Sequence, residues 1–151
     1  MWRWIDTIQN YLPDNPHLTE ELVLAVIAQE SLGNPYAIRD EGENSSIGLM
    51  QIMDFSWRPD REWLRNPDNN IAYGMYILDL LIERYEGDVV KALAVYNCGE
   101  IGVERNICGI SGGYAYSNII LKHWLPVFKE KVLQYNYGFL YKKWIRLGIL
   151  R

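Results

Sequence analysis

Glu30 is the carboxylate in this chain best placed to act as an acid. Leu22, Val23, Val26 and Ile27 recur at helical spacing, and Glu30 falls on the same apolar face, four residues after Val26. It sits in the last turn before Gly33-Asn34-Pro35 stops the helix. A carboxyl group held against apolar side chains resists ionisation, so it can keep a proton near neutral pH and deliver it to a leaving group. That is what acid-catalysed cleavage of a glycosidic bond needs. A second stretch, Gly48-Leu49-Met50-Gln51-Ile52, offers a glycine where the backbone can come close to a ligand and, in Gln51, both a donor and an acceptor. Neither His17 nor His123 has a metal-ligand or nucleophile arrangement around it, so no metal or organic cofactor is expected and both are read as surface residues.

Taken together, these stretches resemble one family. Ala28-Gln29-Glu30-Ser31 with Asn34-Pro35, followed by Ser46 to Ile52, is similar to the Glu-Ser and Gly-Leu-Met-Gln signatures of the soluble lytic transglycosylase catalytic domain, a branch of the lysozyme-like superfamily. Further on, Asn66-Pro67 with Asn70-Ile71 and Gly74, then Ala92 to Gly99, resemble that family's Asn-Pro-x-x-Asn-Ile and Ala-Tyr-Asn-Ala-Gly signatures, with Val95 and Cys98 standing where alanine is usual. Tyr116, opening a helix, resembles the last motif, with Tyr114 a competing match. The resemblance covers about 18–121. It implies a mainly α, lysozyme-like single domain over 1–151, with a cleft and at most a small irregular β region around 36–52.

The resemblance also implies cleavage of the β-1,4 bond between N-acetylmuramic acid and N-acetylglucosamine in peptidoglycan glycan strands, with Glu30 as acid and base. Ser31, Ser46, Gly48, Leu49, Met50, Gln51, Tyr96, Asn97 and Tyr116 are the substrate-binding residues it implies, Tyr116 by a hydrogen bond near Glu30. In lytic transglycosylases a single Glu protonates the glycosidic oxygen and then takes the proton of the muramic acid C6 hydroxyl, closing a 1,6-anhydro ring. Hydrolysis instead uses two carboxylates. Goose-type lysozymes, a sister branch, carry acids in the corresponding loop, and here Asp40, Glu41, Glu43 and Asp54 are the candidates for a second carboxylate if the enzyme is a hydrolytic muramidase. A third reading is a non-catalytic wall-binding or structural virion module that keeps the groove.

The elements that must position these residues follow from pattern. Trp4, Ile8, Tyr11 and Leu12 form one face of an opening helix ended by Pro13-Asp14-Asn15-Pro16. Thr19 caps the helix that carries Glu30, with Glu20 and Glu21 in its first turn, where the dipole favours acids. A polar loop follows. Ile71, Met75, Leu78, Leu81, Ile82 and Tyr85 mark the buried face of a long helix that Gly87 stops, and Asp88 caps the next helix over 89–96. Pro126 breaks or kinks the helix after Tyr116.

Composition sets the outer bounds. The chain has 151 residues, 49% hydrophobic and 23% charged, which suits one globular domain, and no apolar run reaches the roughly 20 residues of a membrane span. The start, Met1 to Asp6, lacks the pattern of a secretory signal, so delivery to a bacterial wall by another route is expected, as for a phage lysin or virion component. The net charge of −4 hides an uneven distribution: from Lys122 onward seven basic residues face one acid, Glu130. In the tail, 133–151, Leu140, Trp144 and Leu147 share a face with Lys142, Lys143 and Arg146 largely off it. That tail could pack on the domain or meet an anionic wall or membrane surface. No nucleic-acid partner is expected, and the protein is read as a monomer. Cys98 and Cys108 are spaced so that a disulfide is allowed but not demanded.

Overall fold

In the computed structural model, residues 2–40 and 42–146 are described, 137–146 as backbone only. The Thr19 side chain accepts from the Leu22 N–H at 3.3 Å, so helix α2 (Glu20–Ser31) starts at its expected cap. Every residue from Leu22 to Ala28 is buried. A helix that is apolar all round has to be surrounded. Helix α1 (Ile5–Tyr11), a π-helical turn (Ile120–Trp124) and helix α8 (Leu125–Arg146) pack around it. The chain reverses after α2 at Leu32, whose φ of 52° is left-handed, one residue before Gly33 at 79°. Its side chain is 76% exposed, so the reversal costs about 1 kcal/mol of backbone energy without disturbing the core.

The second half builds the other wall. Asn66 caps α4 (Pro67–Arg84) by accepting from the Asp68 and Asn69 N–H groups, with Pro67 at the first helical position, where a missing N–H is harmless. Ile71, Met75, Leu78 and Ile82 are buried as the spacing requires, while Leu81 and Tyr85 are only partly so. Gly87 stops the chain and Asp88 accepts from the Lys91 N–H at 2.9 Å to start α5 (Val89–Cys98), which runs two residues past the expected end. Two five-residue helices, α3 (Arg61–Arg65) and α6 (Glu100–Glu104), were not anticipated. Helix α7 (Tyr114–Ile119) leads into the π turn, in which the Leu125 N–H reaches back to the Ile120 carbonyl. Pro126 cannot donate and would crowd the carbonyl four residues back, which the wide turn ahead of it accommodates, and the helical run continues rather than ends.

Between α2 and α3 lies an antiparallel sheet in the order β1 (Ile38–Asp40), β2 (Ser45–Ile47), β3 (Ile52–Met53), with Ile38 opposite Ile47 and Ile47 opposite Ile52. It extends one residue beyond the expected β region. The mainly α architecture with a small sheet is the fold class expected.

Two expectations on the flanks change. In α1 the buried residues are Ile5 and Ile8, with Trp4 and Leu12 of the expected face partly buried against the core, while Tyr11 is exposed. Helix α8 packs on α2 through Phe128 and Val132, with the Trp2 ring edge-on to Phe128 and stacked on Tyr135. The face with Leu140, Trp144 and Leu147 and the bases Lys142, Lys143 and Arg146 lies outside the described side chains. Among the described residues no helix is long and apolar enough to cross a membrane.

Candidate active site

Glu30 stands at the C-terminal end of α2 because the residues on either side of it are tied down. Gln29 accepts from the Trp124 indole N–H at 2.9 Å, fixing α2 to the π turn. Ser31 Oγ lies 2.8 Å from the Leu49 carbonyl and 3.1 Å from that of Ile27, and accepts from the Gly33 N–H. Its hydroxyl therefore joins the helix end to the loop after β2. The resemblance put Ser31 on the substrate; here its hydrogen-bonding capacity is spent on backbone and it does not line the cleft.

The loop 48–51 is held from below by Asn70 on α4. Its amide donates to the Ile47 and Leu64 carbonyls and accepts from the Met50 N–H at 2.8 Å, with only 1% of the residue exposed. Gly48, at φ 76°, passes so close that a Cβ there would sit 2.5 Å from the Asn70 amide nitrogen. Leu49 and Met50 are fully buried, and Met50 packs on Gly74. So Gly48, Leu49 and Met50 lie beneath the cleft rather than in its lining: the Gly48 backbone presses on the Asn70 side chain, and the Leu49 and Met50 side chains are buried in the core. Gln51 does line it, in a left-handed conformation (φ 47°) that its own amide braces by donating to the Gly48 and Ala37 carbonyls.

Above this base runs a cleft of about 380 Å³, lined by Glu30, Ser46, Gln51, Tyr96 and Asn97 and also by Arg39, Phe55 and Arg58 over an apolar floor. Among its described lining residues Glu30 is the only carboxylate. Tyr116, 3% exposed, donates its hydroxyl to Glu30 Oε1 at 2.5 Å. Tyr114 is half exposed and makes no such bond, so of the two tyrosines Tyr116 occupies the position at the acid. Tyr96 donates to the Met50 carbonyl at 2.8 Å and thereby anchors the loop while its ring faces the cleft. Burial first, and then the charge of Glu30, push both phenols well above their ordinary value of 10.0, with Arg39 partly offsetting this at Tyr116 and Arg58 at Tyr96. Both therefore stay protonated, and Tyr116 stays a donor to the carboxylate. Asn97 is exposed and accepts from the Gly113 N–H, which joins the end of α5 to the start of α7.

That junction is also covalent. Cys98 and Cys108 form a disulfide across a Cα separation of 5.5 Å, closing the 98–108 segment against the cleft wall.

Residues 9–120 match the family described as Transglycosylase SLT domain. The chain belongs to that family. It is also similar to "Membrane-bound lytic murein transglycosylase C" of Photorhabdus laumondii, 31% identical over 107 residues, covering 58% of this chain and 29% of the relative. The protein of the same name from Yersinia pestis is 33% identical over 85 residues, covering 48% of this chain and 23% of the relative. The chain thus spans less than a third of the length of these curated relatives.

Within this SLT domain the described second-carboxylate candidates, Asp40, Glu43 and Asp54, are not among the cleft's lining residues. Asp54 accepts from the Ser45 N–H at 2.6 Å and pairs with Arg61, also at 2.6 Å, with 10% of its side chain exposed. The Ser45 bond first, and Arg61 with it, hold its carboxyl below the usual value, so it is a fixed structural anion. Asp40, which accepts from the Gly42 N–H, and Glu43 are exposed and do not line the cleft. Glu41 lies outside the described residues. Sequence reasoning missed Arg39, Phe55 and Arg58 as lining residues. Arginines carry no periodic signal, and only the closeness of Trp57-Arg58 to the Gly-Leu-Met-Gln run hinted at them. Among the described residues no group of three His, Cys, Asp or Glu side chains could hold a metal ion.

Proposed function

We propose that this domain is a peptidoglycan lytic transglycosylase cleaving the bond between N-acetylmuramic acid and N-acetylglucosamine, with Glu30 as both acid and base. The observation that carries the reading is the cleft itself: one carboxylate among its described lining residues, gripped by the Tyr116 hydroxyl. Membership of the SLT domain family and the murein transglycosylase names of its relatives support the same substrate.

In the first step protonated Glu30 gives its proton to the glycosidic oxygen as the bond to the muramic acid C1 breaks. Positive charge develops on that sugar, and the Glu30 carboxylate left behind faces it. Tyr116, unable to ionise in this setting, stabilises the carboxylate by donating to it. Glu30 then takes the proton of the C6 hydroxyl as the C6 oxygen closes on C1, which gives a 1,6-anhydro end and regenerates the acid without water. Hydrolysis through either geometry of paired carboxylates needs a second one within about 5–9.5 Å. The engagement of Asp54 with Arg61 and the exposure of Asp40 and Glu43 favour the single-carboxylate route.

Ser46, Gln51 and Asn97 are the groups we assign to the polar substituents of the sugars, with Tyr96 beside them. The site of action is the wall, outside the cytoplasm, a setting in which a disulfide such as Cys98–Cys108 persists.

Mass spectrometry of muropeptides released from purified peptidoglycan tests the reading, with Glu30→Gln as control. Anhydro products, one water lighter than reducing muropeptides and absent with Glu30→Gln, are expected. Reducing ends would make the enzyme a muramidase, and sedimentation with peptidoglycan without any release would make it a binding module.

A further inference from the structure

The loop between β3 and α3 carries an aromatic pair that the mechanism does not use. Trp57 is 76% exposed, yet its ring is not loose: it stacks on Phe55 with centroids 4.5 Å apart and planes 13° from parallel. Phe55 lines the cleft, so the stack carries an apolar surface from the cleft onto the outside of the domain. Arg58, also a lining residue, holds its guanidinium carbon 5.2 Å from the centre of the Phe55 ring and donates to the Met53 carbonyl. The loop is braced at both ends. Asp54 fixes its start to Ser45 and Arg61, and the Arg58 N–H closes a turn onto the Phe55 carbonyl at 2.9 Å. A lone exposed tryptophan means little. One whose plane is set by a partner inside the cleft is a preformed surface, ordered at little further entropic cost on binding.

The chemistry of that surface selects its occupant. A pyranose ring presents a face of C–H groups and a rim of hydroxyl and acetamido groups, so it suits a flat aromatic face with hydrogen-bond donors at its edge. We propose that Trp57, Phe55 and Arg58 form an additional glycan subsite, in which the Trp57 ring stacks on an N-acetylhexosamine beyond the two sugars whose bond is cut. Arg58 donates to oxygens on that sugar's rim. Continuity with the cleft through Phe55 and Arg58 commits the site to the same strand. The other exposed ring cluster, Trp63 with Tyr73 and Tyr76, does not line the cleft.

This inference rests on the cleft being a glycan site, and the two are separable. Turnover by Glu30→Gln tests that reading; the length dependence of binding tests this one. The probes are the β-1,4-linked N-acetylglucosamine disaccharide and hexasaccharide, titrated by calorimetry into the whole chain carrying Glu30→Gln, with and without Trp57→Ala. Trp57→Ala is expected to weaken the hexasaccharide by about 10-fold and leave the disaccharide within about twofold, while Trp57→Phe retains most of the affinity. Equal hexasaccharide affinity with and without Trp57, equal weakening of both probes, or no hexasaccharide binding by the Glu30→Gln parent would each overturn the subsite.

Discussion

The two walls of the cleft are built on different terms. On the helical wall, the polar side chains around the carboxylate are buried or half-buried and each has a hydrogen-bond partner: Tyr116 with Glu30, Tyr96 with the Met50 carbonyl, and Gln29 with Trp124. On the sheet wall, Arg39, Phe55, Trp57 and Arg58 stand on short strands and a loop, half-buried or exposed. A low-dielectric, fully bonded surround fixes the geometry of a proton donor to within a fraction of an ångström. The contrast is between a wall fixed by side-chain hydrogen bonds around the carboxylate and one built of arginines and stacked rings on a braced loop.

The sharpest way to break this division is at Glu30. Glu30→Gln keeps the shape but removes the transferable proton, so turnover should fall at least about 10³-fold, near 4 kcal/mol of barrier, while the melting temperature holds. Muropeptide release and a thermal melt on the same sample check it, and a loss of fold would mean that Glu30 is structural. Next comes the seam between the walls. Asn70→Ala removes the bonds to the Ile47 and Leu64 carbonyls and from the Met50 N–H and should cost about 3 kcal/mol, read by urea denaturation. A change below about 1 kcal/mol would show that the loop 48–51 holds itself.

Opening the disulfide loosens the helical wall from outside. Cys108→Ser releases a loop of about ten residues and should lower stability by about 2–3 kcal/mol, measured against the wild type under non-reducing conditions. The smallest effect is at the base of the sheet wall. Asp54→Asn should cost about 1–2 kcal/mol at neutral pH. Because the folded carboxyl titrates below its usual 3.8, its contribution is complete above that value and is lost as pH falls through the lower folded one. Wild type and Asp54→Asn should therefore converge in stability on acidification. Parallel stability curves would instead assign the effect to packing.

The same contrast explains what could be read in advance. Helices α2 and α5 were legible because periodic apolar residues and caps at Thr19 and Asp88 speak for the same starts, and α4 because its apolar period runs up to the Gly87 stop; its cap at Asn66 was not read. The strands were not, since β1 is exposed throughout and β2 buried throughout, so neither alternates. Glu30 and Tyr116 were visible only as a pair of motifs 86 residues apart, joined by folding into one hydrogen bond. The resemblance named Ser31, Gly48, Leu49 and Met50 as substrate contacts. Motif residues that build a loop and residues that line a cleft look alike in sequence, and only the fold shows that Ser46 and Gln51 line it while Leu49 and Met50 pack beneath it.

The disulfide has a further consequence where proteases are present. The loop it spans is exposed at Arg105, Asn106 and Ile107, an open target for a protease. A cut there would not free the second half of the chain: α7, and with it the tyrosine on the acid, would remain joined to α5 through sulfur. The nicked molecule would run as two pieces only after reduction.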